Sequence, residues 1–296
     1  MKTGYLIDMD GVIYRENQLI PGAVEFVRAL TATGTPFLFL TSNSAPTPKD
    51  IAVRLKHLGV HGLSARHFYT SALNTADFLS ETDPGCTVFV IGKGGLLTAL
   101  HERKIANDGI RPRYVVVGEG MTTMEKLVKA HECIERGARL LATNPDNSSE
   151  KTRSGAGSTA AFLKASAGHH AYYLGKPNGY MFHRARRKLA EVALSGPEQV
   201  VMIGDTMETD IRGVMEAGMQ IFLVLSGSTR LEGLGNYAYQ PTRVLQTVAD
   251  LTEEVKTGKA SDRLNSPVYG SNGGGWARLL RCAACVGWKS ELGQRR

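Results

Sequence analysis

The chain has 296 residues, 42% of them hydrophobic and 21% charged, which is enough to bury one large core or two modest ones and excludes a disordered chain. No apolar run approaches the roughly 18 residues of a spanning helix; Asp8 and Asp10 interrupt the only apolar stretch near the start, so neither signal peptide nor membrane is expected and the location is cytoplasmic by default. The net charge of +7 excludes little by itself, because from Thr257 onward seven basic residues and two acids contribute +5; the remaining +2 is no groove for a nucleic acid polymer.

The first apolar run, Leu6-Ile7, ends in Asp8-Met9-Asp10-Gly11. Pro21-Gly22-Ala23 opens a helix with Val24, Val27 and Leu30 on its stripe and Gly34 as its cap. Pro36–Leu40 reads as a buried strand ending in Thr41-Ser42-Asn43-Ser44, and a second helix runs from Pro48 to Leu58. Thr87–Ile91, Tyr114–Val117, Arg139–Thr143 and Tyr172–Leu174 then read as strands. They alternate with helices over Leu96–Arg103, Thr123–Arg136, Gly157–Ala167 and Tyr180–Val192. Val200–Ile203 enters Gly204-Asp205, Met207–Ala217 is helical, and Ile221–Leu225 is the last buried strand expected. Strands and helices in alternation imply right-handed crossovers and a parallel sheet. Beyond about Lys256 the apolar periodicity stops, and 257–296 reads as a basic, disordered tail. Cys86 and Cys133 fall within elements as small buried hydrophobes; Cys282 and Cys285 are a lone pair without the second pair of a zinc site.

Residues i and i+2 of a strand share a face, so Asp8 and Asp10 can look into one pocket where the chain turns at Gly11. Open α/β sheets hold their ligands at that carboxyl edge. Two close carboxylates call for a cation, and oxygen ligands favour a hard one such as Mg²⁺. For this stretch alone, a strand ending in two solvated acids is the plainer alternative. Three more strand ends carry chemistry: Thr41, then Lys176 in Gly175-Lys176-Pro177-Asn178, then Asp205 and Asp210 in Gly204-Asp205-Thr206-Met207-Glu208-Thr209-Asp210.

In that order, Asp-x-Asp-Gly-Val, Leu-Thr-Ser-Asn, Gly-Lys-Pro and Gly-Asp-x-x-x-Thr-Asp, the four resemble the motifs of the haloacid dehalogenase superfamily of phosphohydrolases. Phe68-Tyr69-Thr70-Ser71-Ala72, Ala142-Thr143-Asn144-Pro145-Asp146 and Leu223-Val224-Leu225-Ser226-Gly227 resemble its class IIA, NagD-like branch of ribonucleotide monophosphatases, over about residues 1–255. The resemblance implies an α/β fold: a doubly wound parallel-sheet core of 1–76 and 177–256, with an α/β cap inserted over 77–176. It implies a Mg²⁺-dependent phosphatase of small phosphomonoesters, nucleoside monophosphates first and sugar phosphates next. Asp8 would be the nucleophile, Asp10 the general acid and base, and Thr41 and Lys176 would hold the phosphoryl charge. Asp8, Asp205 and the main-chain carbonyl of Asp10 would ligate the metal, with Asp210 behind them. Gly11, Ser42, Asn43, Asn144 and Asp146 join Asp10, Thr41 and Lys176 as substrate contacts.

The run Ser148–Ser154 departs from that branch in its polarity. Its Lys151 and Arg153 would suit a second anionic group on the substrate, but a solvated loop is the preferred explanation of them. The same aspartyl phosphate would serve a phosphotransferase or mutase, and a non-catalytic phosphometabolite-binding protein is the reading from another class. Gly92-Lys93-Gly94-Gly95 lacks the spacing of a phosphate loop and reads as the start of a helix.

Overall fold

The computed structural model describes residues 3–147, 155–193 and 196–258. The run Ser148–Ser154, with Lys151 and Arg153, and the tail with Cys282 and Cys285 lie outside the described residues. The chain begins with β1 (Thr3–Ile7), the hairpin β2 (Tyr14–Arg15) and β3 (Gln18–Leu19), α1 (Ala23–Thr33), β4 (Phe37–Thr41) and α2 (Pro48–His57). β5 (Phe68–Thr70), α3 (Ser71–Thr82), β6 (Thr87–Ile91), α4 (Gly94–Glu102), β7 (Ala106–Asn107) and β8 (Tyr114–Val117) follow. Next come α5 (Met124–Glu135), β9 (Arg139–Ala142), α6 (Ala156–Ala167), β10 (Tyr172–Tyr173), α7 (Gly179–Val192) and β11 (Gln199–Gly204). The last described elements are α8 (Arg212–Glu216), β12 (Gln220–Val224), β13 (Arg243–Leu245) and α9 (Thr252–Thr257).

These strands make two parallel sheets, giving the doubly wound α/β class expected from the alternation. One has six strands in the order β13-β12-β11-β1-β4-β5, the other five in the order β10-β9-β8-β6-β7. Their strands are apolar on both faces because both faces are covered. In β1 and β4, Tyr5, Ile7, Phe37 and Phe39 enter one core, while Leu6, Leu38 and Leu40 enter the other. The second sheet divides the same way, with Val88, Val90 and Val116 on one side and Val115, Val117 and Ala142 on the other.

From β1 the six-stranded sheet grows toward β4 and β5 in one direction, and toward β11, β12 and β13 in the other. That reversal puts a crevice at the carboxyl ends of β1 and β11, whose Ile7 and Ile203 are in register. Asp8 follows the first of these strands and Asp205 the second.

Local signals set the helix ends. Gly34 closes α1 at φ 64°, donating back to Leu30 and Thr31. Thr47 and Asp50 form a reciprocal capping box on α2, with Pro48 at its first turn. Cys86 and Cys133 are buried as expected.

The sequence reading needs four corrections. β5, α3, β7 and α9 lie where it places no element, and the hairpin β2–β3 is new. β13 pairs with β12 beyond the strand expected to be last. The helix expected over Met207–Ala217 begins as a wide turn over Met207–Ile211, in which Ile211 N–H reaches five residues back to Thr206 O at 3.2 Å. Finally, Thr257 ends α9, with Gly258 capping it at φ 67°, although the reading gave Thr257 to the tail.

Candidate active site

The reversal point gathers the acids. Asp8 is 7% exposed and its N–H donates to Ile203 O, which joins the two strand ends. Asp205 and Asp210 are 3% and 1% exposed. One carboxylate oxygen from each of Asp8, Asp205 and Asp210 lies within 4.8 Å of the others.

The cation among them comes from the far end of the second sheet. Lys176 follows β10 and reaches back so that Nζ donates to Asp8 Oδ1 at 2.5 Å and to Asp210 Oδ1 at 2.7 Å. Burial works against its charge, yet Asp210 and Asp8 together hold its proton more tightly than usual. Burial likewise pushes the Asp8 carboxyl well up; Lys176 pulls it back, and Asp210 and Asp205 add to the rise. Asp210 is pushed the same way, again chiefly by burial. Three carboxylates against one ammonium leave two negative charges in a buried cluster. An all-oxygen donor set with that excess fits a hard divalent cation.

Two glycines make room for the cluster. Gly11 adopts φ +75°, and a Cβ there would stand 2.6 Å from Asp205 Oδ2. On Gly227 it would stand 2.1 Å from the same oxygen. Asp205 is oriented by Ser228 N–H on Oδ2 (2.6 Å) and Thr206 Oγ1 on Oδ1 (3.1 Å), while Ser226 Oγ donates to Gly11 O at 2.7 Å. Asp210 sits in the wide turn and accepts Thr206 N–H at 3.2 Å, so one of its oxygens holds Lys176 and the other holds the backbone.

A cavity of about 790 Å³ opens over this floor. Asp8, Asp10, Gly11, Thr41, Ser42, Asn43, Asp146, Lys176, Asp205 and Asp210 all line it. Asp8 is buried and Asp10 exposed, so the two carboxylates spaced by one residue meet the same space with different access to water. Lys176 occupies Oδ1 of Asp8; among the described residues no donor reaches Oδ2.

Thr41 ends β4 and is 8% exposed. The Asn43 N–H donates to Thr41 Oγ1 at 3.1 Å and closes the turn after β4. Asn144 is fully buried and absent from the cavity lining. Its Nδ2 donates to Ser42 O and to Glu119 Oε1, both at 2.8 Å, while its Oδ1 accepts Asp146 N–H at 3.1 Å.

Glu119 is the residue that sequence reasoning passed over. It is 6% exposed, lines the cavity from the second sheet, and has its N–H on Ser44 Oγ at 3.0 Å. Burial raises its carboxyl to about 7, with Asp146 adding to the rise and Asn144 and Lys93 opposing it. Gly118-Glu119-Gly120 carries no spacing signal; only the position of an acid just past an apolar strand could have drawn attention to it.

Known proteins are similar to this chain over most of its length. A family model described as haloacid dehalogenase-like hydrolase matches residues 5–106, and a HAD-hydrolase-like model matches residues 173–251. The chain is 38% identical over 257 residues to the dihydroxyacetone phosphatase of Corynebacterium glutamicum strain R, covering 86% of this chain and 92% of that one. It is 32% identical over 247 residues to the ribonucleotide monophosphatase NagD of Escherichia coli K12, covering 83% and 96% respectively. The solved structure of NagD from that strain superposes with a TM-score of 0.77 at 31% identity, covering 84% of this chain and 98% of that chain.

Proposed function

The chain belongs to the haloacid dehalogenase-like hydrolases, in their NagD-like branch, and from that premise we propose that it is a Mg²⁺-dependent phosphatase working through a phosphorylated Asp8. Hydrolysis of phosphoric monoesters is the activity of the class. The metal, the intermediate and the residue roles are what we propose beyond it. The observation that carries them is the state of Asp8: one oxygen is held by Lys176, the other has no donor among the described residues, and two further carboxylates stand within 4.8 Å.

Phosphate monoesters hydrolyse extremely slowly unaided, so positioning and charge compensation must supply the rate. Asp8 Oδ2 attacks phosphorus as the ester P–O bond breaks, and Asp10 gives its proton to the departing alkoxide. Asp10 then takes a proton from water, whose oxygen attacks the same phosphorus. The P–O bond to Asp8 breaks, which restores its carboxylate and frees inorganic phosphate. Asp10 stays a carboxylate between the steps and regains from water the proton it gave to the alcohol, and burial suits Asp8 to remain oriented. Thr41 and Lys176 bind phosphoryl oxygens, and Gly11, Ser42 and Asn43 shape the space around them. Mg²⁺ would be held by Asp8, Asp205 and the main-chain carbonyl of Asp10, and supplies charge compensation between nucleophile and phosphoryl group. Asp210 anchors Lys176 and completes the acidic set.

Residues 77–176 form the cap in this reading, covering the phosphoryl site and contacting the leaving group through Asp146. The substrate is a small phosphomonoester, with nucleoside monophosphates and the phosphates of sugars or trioses as the classes to try. Both kinds of name occur among the relatives.

The test is phosphate release from a panel of nucleotides and sugar and triose phosphates, for wild type and Asp8→Asn, with Mg²⁺ and with chelator. Turnover that requires both Asp8 and the metal supports the mechanism. No release from any ester by the folded wild-type protein with Mg²⁺ present sinks it.

A further inference from the structure

One buried titratable group in the cavity wall has no part in that mechanism. Glu119 stands just past β8 and faces the space above Asp8 from the opposing sheet. Its carboxyl is fixed relative to the phosphoryl end of the cavity. The Asn144 Nδ2 that donates to Oε1 also donates to Ser42 O, one residue from Thr41. The Glu119 N–H is tied to Ser44 Oγ, which also receives Thr143 Oγ1 at 2.9 Å. A carboxyl can accept up to about four hydrogen bonds, and Asn144 supplies one. Asp146 brings a second carboxyl to the same wall, with its N–H on Asn144 Oδ1. With phosphorus held at Asp8 and Thr41, the alcohol must lie toward this wall.

Among the described residues, the cations of the cavity do not balance the wall. Lys176 is paired with Asp8 and Asp210. The Arg54 guanidinium lies 4.2 Å from the centre of the Tyr14 ring and donates to Glu16 O. Arg15 and Lys93 are exposed at the rim, where solvent screens them far more than it screens a buried carboxyl.

We propose that Glu119 determines specificity at this site: it receives hydroxyl groups of an uncharged alcohol and excludes phosphomonoesters that carry a second anion. The inference rests on the phosphatase reading and names its substrate class. A hydroxyl can donate to the wall, whereas a carboxylate or second phosphate brings only acceptors and like charge to it. Burial, which lifts Glu119 to about 7, equips it to donate as well as accept near neutrality.

The test uses two three-carbon esters, dihydroxyacetone phosphate and 3-phosphoglycerate, which differ by a carboxylate. Full-length protein with Mg²⁺ at pH 8 should favour the first in kcat/KM. In Glu119→Gln, which keeps the size and the acceptor for Asn144, that preference should fall by about tenfold or more, mainly through a lower KM for 3-phosphoglycerate. Asp146→Asn should move the ratio in the same direction, and decides the matter if the first variant does not fold. An equal loss on both esters would mean that Glu119 only holds the wall together, and overturns the inference. If wild type releases phosphate from neither these esters nor the wider panel, the phosphatase reading itself has failed.

Discussion

The two sheets meet the cavity with edges of opposite character. The six-stranded sheet presents Asp8, Asp205 and Asp210 around one ammonium, packed so tightly that Gly11 and Gly227 leave no space for a methyl group. The five-stranded sheet presents Glu119 and Asp146 among the neutral groups of Ser44, Thr143 and Asn144. One edge concentrates uncompensated charge, which costs stability and suits it to reaction. The other sets two carboxyls among neutral hydrogen-bonding groups, which suits it to recognition. Chemistry and selectivity should therefore separate under mutation.

Asp8→Asn gives the largest separation. Turnover should fall by about 10⁴-fold or more, measured as phosphate release. The metal-free variant should nevertheless melt no lower than wild type, because it removes one of the carboxylates that burial and its neighbours disfavour. A marked loss of stability would show that the acids support the fold instead of straining it.

Gly227→Ala tests the packing of the same edge. A Cβ 2.1 Å from Asp205 Oδ2 must displace that carboxylate or its strand. Activity should drop by about 100-fold and stability by roughly 1–3 kcal/mol, as read by kinetics and denaturant unfolding.

Mg²⁺ should raise the melting temperature of wild type. The gain corresponds to about 2.7 kcal/mol at a hundredfold excess over Kd, chelator should reverse it, and Asp205→Asn should abolish it. An unchanged response in Asp205→Asn would remove that residue from the metal site.

The smallest effect belongs to the recognition edge. The Glu119 carboxyl is raised from 4.5 to about 7, so the folded state binds its proton more tightly than the unfolded chain does. Its stabilising contribution is complete below about pH 4.5 and is lost as pH rises through about 7. Wild type should lose on the order of 2 kcal/mol across that window relative to Glu119→Gln. Parallel melting-temperature profiles of the two proteins would check this; the acids and bases acting on Glu119, Asp146 and Lys93, are common to both.

The reacting edge was legible in the sequence because each of its residues follows an apolar strand in a local pattern: Asp8 after β1, Thr41 in β4's last position, Asp205 after β11. The elements that escaped lack such patterns. β5 has three residues, too few for periodicity. α3 buries Ser71, Asn74, Thr75 and Asp77 beside Ala72, Ala76 and Leu79, so its inward face is too polar to read as an apolar stripe. Several of those polar groups find partners distant in the chain, as when Arg103 Nε donates to Asp77 Oδ1 and Asn74 Nδ2 to Leu174 O. Glu119 is the same case: its neighbours Ser44 and Asn144 are 75 and 25 residues away.

The seam between the two edges has a consequence of its own. Ser42 O receives Asn144 Nδ2, and Ser44 Oγ receives Glu119 N–H and Thr143 Oγ1. Every donor and acceptor in these three bonds is uncharged. Parting them would exchange protein hydrogen bonds for water hydrogen bonds almost one for one. These neutral bonds respond to the activity of water more than to ionic strength: excluded osmolytes should tighten them, while added salt acts on the Lys176 pairs with Asp8 and Asp210, the charged contacts that also join the two edges.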